Sequence, residues 1–148
     1  MTEKRIAVLV GCSLFPDEEK LTDLRCPEND AEGLKTVLES SERGNFSDVV
    51  ALKNEPYHVA RRAIHRALNQ ANQDDLVVIY YSGHGKLGRA GRLYLTASDT
   101  ELNELEATAI SVEEIHDRVA ASSCTKVVLI LDCCFSGAAG KAFSKGGV

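Results

Sequence analysis

The sequence of 148 residues contains no tryptophan, few aromatic residues and no excess of positive charge. Its 22 acidic side chains outnumber 17 basic ones, and the formal net charge of -5 repels a phosphate backbone, which argues against nucleic-acid binding. No apolar run is long enough to cross a membrane, and the N-terminus lacks the pattern of a signal peptide. We therefore expect a cytoplasmic protein with neither nucleic acid nor membrane as a partner.

The number of cysteines in the chain is odd. The five present are Cys12, Cys26, Cys124, Cys133 and Cys134. An odd number of cysteines in a chain without a signal peptide argues against a disulfide framework. Reduced thiols are the better interpretation, and they leave at least one cysteine as a candidate nucleophile.

Apolar periodicity predicts one domain in which strands and helices alternate. Four short apolar runs predict core strands at residues 5–11, 48–53, 76–81 and 126–131. Amphipathic stretches predict helices at 29–41, from Pro56 to residue 71 and at 112–121, with Asn29 and Ser111 as N-caps, and residues 93–96 are a short extra strand or half of a hairpin. This order predicts an α/β fold with a mainly parallel β-sheet and helices on both faces.

Two segments that carry chemistry follow predicted strands. SGHG occupies residues 82–85 after the third strand, and DCCFSG occupies residues 132–137 after the fourth. Because the carboxyl ends of parallel strands meet at one edge of a sheet, we expect His84 to lie near a cysteine thiol. An imidazole can take the proton of a thiol or stabilise the thiolate. The backbone N–H groups of Gly85 and Cys134 are candidate donors to a developing oxyanion.

The strings YYSGHG and LDCCFSG resemble the two signature blocks of caspase-like cysteine peptidases. The resemblance is to the branch of metacaspases and prokaryotic caspase homologues, and it covers the chain from the first strand through Gly137. It implies a caspase-like three-layer sandwich. It also implies a Cys-His dyad in which His84 is the general base and Cys134, rather than Cys133, is the nucleophile. The residues alone do not decide between the two cysteines.

A third segment, Asn29-Asp30-Ala31, is similar to the start of the first helix in metacaspases. The resemblance implies that Asp30 and Asp132 line a specificity pocket for a basic side chain, Arg or Lys, in front of the cleaved bond of a protein or peptide substrate. Arg gains most from two carboxylates because it binds them in bidentate fashion. An acidic residue in the first helical turn is also stabilised by the helix dipole alone, which is the structural alternative for Asp30.

Two departures from the family pattern matter. Residues 86–98 and 137–148 contain no carboxylate, so we expect no calcium requirement of the metacaspase type, no metal site and no cofactor. Caspase-like folds also continue past the cysteine block into a small subunit. Residues 1–148 are therefore interpreted as the large-subunit portion of a caspase-like catalytic domain. A small subunit or the remaining chain would complete that domain, and processing of a zymogen or a regulatory protein would activate it.

Two other functions stay open. A caspase-like module with an incomplete pocket would act through protein–protein interaction instead of catalysis. A thiol redox or metal site would use Cys133, Cys134 and His84 together, although two cysteines and one histidine leave a zinc site one ligand short.

Overall fold

The structure, a computed structural model, describes residues 3–25 and 27–134, and for Cys134 it describes the backbone only. Its strands are β1 (Arg5–Gly11), β2 (Asp48–Lys53), β3 (Leu76–Leu87), β4 (Leu93–Leu95), β5 (Ile110–Ser111) and β6 (Lys126–Cys134). Its α-helices are α1 (Pro27–Glu39), α2 (Tyr57–Gln70), α3 (Leu105–Thr108) and α4 (Val112–Ala121), and short 3-10 turns cover Arg89–Gly91 and Leu102–Glu104.

The sheet is mixed, and the prediction of a mainly parallel sheet is wrong on this point. Strands β2, β1, β3 and β6 lie side by side and run parallel. Strand β3 is 12 residues long, and its last three residues pair antiparallel with β4, which in turn pairs antiparallel with β5. The chain reverses between β3 and β4 through Ala90 and Gly91, whose φ angles of 63° and 72° lie in the left-handed region.

Strands β3 and β6 both extend beyond their predicted ends. The apolar runs stop at Tyr81 and Leu131, yet the pairing between the two strands continues as far as His84 and Cys134. Polar and glycine residues belong to the strands here because ladder pairing, and not the apolar pattern, determines where a strand ends. His84 therefore lies on a strand and not in the loop that the sequence predicts.

Helices cover both faces of the sheet, as expected. Helix α1 packs on one face through Ala31, against buried side chains such as Leu9 and Tyr80. Helices α2 and α4 pack on the other through Ile64 and Ile115. Strand β3 is buried on both faces, which explains its unbroken apolar run. None of the helices in the part of the chain that the structure describes is long and apolar enough to cross a lipid bilayer.

The helix caps follow the sequence in one case and depart from it in the other. Ser111 caps α4 as predicted, its hydroxyl oxygen accepting from the N–H of Glu114 at 3.1 Å. Helix α1 begins at Pro27, two residues before the predicted cap, so the assignment of Asn29 as N-cap is wrong. Proline suits the first helical position because the N–H that it lacks would have no partner there. Asp30 consequently lies in the first turn of α1.

The turn before β3 is held by a buried carboxylate. Asp75 is 3% exposed and accepts from the backbone N–H groups of Asn72 at 2.8 Å and Lys4 at 2.9 Å. These two donors, that of Asn72 first, hold the pKa of Asp75 below its ordinary value of 3.8. The carboxylate thereby ties the entry of β3 to the chain just before β1.

Candidate active site

The parallel pairing of β3 with β6 brings the two predicted catalytic residues together. In the register of the two strands, His84 lies opposite Cys134, and Ser82 lies opposite Asp132. Neighbouring strands of a sheet are about 4.8 Å apart. The backbone of Cys134 therefore runs directly beside that of His84, although 50 residues separate them in the sequence.

Side-chain alternation distinguishes the two cysteines. Cys133 is half-buried and packs against the core beneath α2 and α4, on the side of the sheet where Tyr81 lies. Successive residues of a strand point to opposite faces, so His84 shares the other face with Tyr80 and Ser82. The thiol of Cys133 and the ring of His84 are thus on opposite sides of the sheet. Cys12 and Cys124 are buried elsewhere, and Cys26 lies outside the described residues.

The imidazole of His84 is held by a loop that connects β1 to α1, which we call the β1–α1 loop (residues 12–25). The Nε2 atom of His84 is 2.8 Å from the carbonyl oxygen of Thr22. Because a carbonyl oxygen can only accept, Nε2 carries the hydrogen of this bond, and Nδ1 of the neutral ring is the unprotonated nitrogen. The ring of Phe15 packs on the imidazole with centroids 5.0 Å apart. The loop therefore fixes both the tautomer and the orientation of His84.

The backbone of His84 is fixed from the opposite side by Thr96. The carbonyl oxygen of His84 accepts from the N–H and from the hydroxyl of Thr96, both at 3.0 Å. The hydroxyl of Tyr81 lies within 3.0 Å of the same carbonyl and donates to the carbonyl of Thr96 at 2.7 Å. Tyr81 and Thr96 are fully buried, so this network is shielded from water. It anchors the strand where the candidate base projects.

Both predicted pocket carboxylates line one small cavity beside these strand ends. The cavity has a volume of about 240 Å³ and is lined by Leu24, Arg25, Pro27, Asp30, Ser82, Gly83 and Asp132. Asp30 reaches it from the first turn of α1, and Asp132 reaches it from β6. Burial raises the pKa of the neighbouring Tyr80 phenol, and the negative charges of Asp132 and Asp30 add to the effect. With two carboxylates against the single guanidinium of Arg25, the cavity lining carries a net negative charge.

Volume alone does not locate this site. A larger groove of about 380 Å³ runs between β2 and α2, where Val50, Val59 and Ala63 line it, and it contains none of the residues that line the cavity. The strand-end cavity is distinguished by its carboxylates and by the adjacent imidazole. Within residues 3–25 and 27–134, no cluster of three or more histidine, cysteine or acidic side chains is placed to bind a metal ion.

The backbones of both predicted oxyanion donors lie where the pairing of β3 with β6 ends. Gly85 is buried and lies at the start of the antiparallel pairing with β4, opposite Leu95. The backbone of Cys134 ends β6. A role for their N–H groups stays a prediction, and Ser136 and Gly137 of the cysteine block lie outside the described residues.

Sequence reasoning missed Thr22, Phe15 and Thr96. Thr22 contributes a backbone carbonyl, which any residue type carries, so its identity gives no signal. Phe15 is an aromatic residue in a loop and becomes informative only when its ring is seen against His84. The sequence predicts Thr96 only as part of a short strand or hairpin.

The fold and the site define an α/β protein with a histidine and a cysteine position paired at the ends of two parallel strands. The chain belongs to the caspase domain family, Peptidase_C14, which matches residues 4–147 and comprises cysteine peptidases. The resemblance seen in the two sequence blocks is thereby confirmed at the level of the family.

One solved structure similar to this chain is protein GSU0716 from Geobacter sulfurreducens, at a TM-score of 0.67 and 22% sequence identity. The alignment covers 98% of this chain and 56% of that one, so the chain spans about half the length of this structural neighbour. At this identity the likeness shows the fold alone. The comparison with curated proteins found no match.

Proposed function

We propose that this domain is a cysteine endopeptidase that cleaves proteins after Arg or Lys through a dyad of Cys134 and His84. The observation that carries the proposal is the β3–β6 register, which sets the backbone of Cys134 beside His84. The hydrogen bond from His84 to Thr22 supports it, because it leaves Nδ1 as the basic nitrogen. Membership in a family of cysteine peptidases supports the reaction class.

The proposed reaction follows from these atoms. Nδ1 of His84 takes the thiol proton of Cys134, and the thiolate attacks the scissile carbonyl carbon. The N–H groups of Gly85 and Cys134 stabilise the oxyanion, which collapses while Nδ1–H protonates the leaving amine. His84 then deprotonates a water molecule, whose oxygen attacks the thioester carbonyl. Collapse of this second intermediate breaks the C–S bond, and the sulfur of Cys134 regains the proton from His84. The products are a carboxylate and the restored thiol.

The preference for a basic residue is supported by the acidic cavity. Asp30 and Asp132 approach it from different elements, and its other lining groups are apolar or small except for Arg25. A substrate guanidinium between two carboxylates gains charge-assisted hydrogen bonds from both. An acidic substrate side chain would be repelled there.

Completion of the fold by a small subunit or the remaining chain is part of the proposal. In the part of the chain that the structure describes, β6 pairs only with β3, and its outer edge carries no strand. Val128 and Ile130 of β6 are 44% and 42% exposed. Unpaired edges with exposed apolar side chains are ready to pair with a further strand. A regulatory protein acting on this edge is compatible with the same observation.

The test is cleavage of fluorogenic peptides that differ only in the residue before the cleaved bond. The protein is assayed as its full chain, with Arg, Lys, Asp and Leu peptides. We expect turnover of the Arg and Lys peptides, loss of it in Cys134→Ala and retention in the matched control Cys133→Ala. Asp132→Asn should raise KM for Arg peptides more than it lowers kcat. Cleavage by Cys134→Ala would refute the assignment of the nucleophile, and no cleavage even after addition of the polypeptide that completes the fold would favour an interaction module.

A further inference from the structure

Asn54 stands at a junction between three segments. It follows β2 directly and has a φ of 54°, a left-handed conformation that asparagine tolerates better than most residues. Its side-chain oxygen accepts from the N–H groups of Ser13 at 2.8 Å and Leu14 at 3.1 Å. Its side-chain NH₂ donates to the carboxylate of Glu28 at 2.9 Å. One side chain thus joins the end of β2, the β1–α1 loop and the first turn of α1.

The first of these connections leads to His84. Asn54 holds Ser13, whose carbonyl accepts from the N–H of Leu24 at 2.8 Å. Together with a bond from the N–H of Phe15 to the carboxylate of Asp23 at 3.3 Å, this joins the first residues of the loop to the two residues that follow Thr22. The loop has its own small core, in which Phe15 and Leu21 are buried with Cys12. The position of the Thr22 carbonyl, and with it the imidazole, therefore depends on the anchor at Asn54.

The second connection leads to the acidic cavity. Glu28 lies two residues before Asp30 in the first turn of α1. By holding Glu28, Asn54 fixes the end of the helix from which Asp30 enters the cavity. Among the described residues, the carboxylate of Asp30 itself is held only weakly, by the hydroxyl of Ser82 at 3.5 Å. The orientation of the helix end is accordingly what places this carboxylate.

We propose that Asn54 is a positioning residue that aligns both halves of the site, the imidazole of His84 and the pocket carboxylate of Asp30. This inference rests on the proposed function. Only a short side chain with both a hydrogen-bond acceptor and a donor makes these bonds, because aspartate cannot donate and alanine can do neither. A misplacement of about 1 Å in such a site costs up to roughly 100-fold in rate.

The decisive variant is Asn54→Asp. It retains the shape, the left-handed conformation and the acceptors for Ser13 and Leu14, but it sets a second carboxylate against Glu28. We expect kcat/KM for Arg peptides to fall by about 10- to 100-fold, with changes in both kcat and KM. Adding Glu28→Gln should restore activity, since the new amide donates to the carboxylate introduced at position 54 and the hydrogen bond returns with reversed polarity.

The matched control is Asn45→Asp. Asn45 is also a left-handed asparagine, with a φ of 53°, but it is exposed and lies at the opposite end of the sheet from the site. It should leave kcat/KM unchanged. Thermal unfolding of each variant separates a folding defect from a change in the site.

A second readout does not need a substrate. The rate of alkylation of Cys134 by iodoacetamide, followed by peptide mass spectrometry across pH, reports how well the imidazole supports the thiolate. In Asn54→Asp we expect the midpoint of the alkylation profile to move up by about one pH unit, so that alkylation at pH values well below the midpoint is roughly tenfold slower. The double variant with Glu28→Gln should return to the wild-type profile.

The outcomes separate the inference from the function on which it rests. An alkylation profile of Asn54→Asp identical to that of Asn45→Asp would overturn the inference. So would a double variant that regains thermal stability but not the profile, because Asn54 would then serve folding only. If no peptide is cleaved by the wild-type protein while Asn54→Asp still shifts the profile, the proposed peptidase activity fails and the positioning of His84 by Asn54 stands.

Discussion

Removing one hydroxyl group, in Tyr81→Phe, tests the buried network behind His84. The phenol is fully buried, and burial raises its pKa, so it stays a protonated donor to the carbonyl of Thr96 at 2.7 Å. Phenylalanine keeps the ring packing but leaves that carbonyl without this donor. Loss of one partner in a buried pair costs about 1–3 kcal/mol.

The expected loss corresponds to a measurable shift in thermal unfolding. At this chain length each kcal/mol lowers Tm by about 2–4 °C, so the middle of the range predicts a decrease of roughly 4–8 °C. Urea unfolding should give the same free-energy difference with an unchanged m value. The carbonyl of His84 retains two hydrogen bonds from Thr96 in this variant. We therefore expect the alkylation rate of Cys134 to stay close to that of the wild type while the free energy of unfolding falls.

The matched control is Tyr80→Phe in the same strand. Its hydroxyl lies beside the carboxylate of Asp132 at the cavity, where a lost bond is replaced by water more easily. We expect a change below about 1 kcal/mol. Equal losses of stability in Tyr80→Phe and Tyr81→Phe would show that the network behind His84 is not the source of the stability assigned to it.

Further predictions concern packing and titration. Gly11→Ala should destabilise the protein by about 1–3 kcal/mol, because its Cβ would meet the backbone oxygen of Pro27, whereas Gly33→Ala in open space within α1 should stabilise it by up to about 1 kcal/mol, both measured by urea unfolding. Burial raises the pKa of the Cys12 thiol to about 12, so iodoacetamide at pH 8 should label it only as the protein unfolds. Labelling of Cys12 in the native state would contradict this. The lowered pKa of Asp75 stabilises the fold fully above pH 3.8, and this contribution is lost as pH falls through the lower native value. The stability advantage of wild type over Asp75→Asn should therefore shrink as the pH falls below 3.8, and a constant difference would contradict this.

The sequence predicts well the part of the site that depends on the sheet. Each core strand is a run of apolar residues, and parallel connections bring the ends of the third and fourth runs to one edge. The neighbouring positions of His84 and Cys134 follow from that. The extension of β3 through residues 82–84 does not follow from the sequence. SGHG has no alternating apolar pattern, and it pairs with β6 only as a continuation of the preceding strand residues.

The part that depends on the loop is not predictable from residue types. The contact to His84 is a backbone carbonyl, and the closure of the β1–α1 loop uses backbone N–H groups that every non-proline residue carries. The sequence does not distinguish Asn54, because a left-handed asparagine after a strand is also an ordinary turn residue. Only the spatial assembly shows that this side chain reaches two distant segments.

The marginal position of β6 has a consequence for the order in which the site is built. Strands β1, β2 and β3 precede it in the chain and already pair with one another, whereas β6, among the described strands, depends on β3 alone. During synthesis from the N-terminus, the imidazole of His84 and the β1–α1 loop that binds it can fold before Cys134 leaves the ribosome. The site is then assembled in the order of translation, and the thiol of Cys134 is added last, beside an imidazole of His84 that is already positioned.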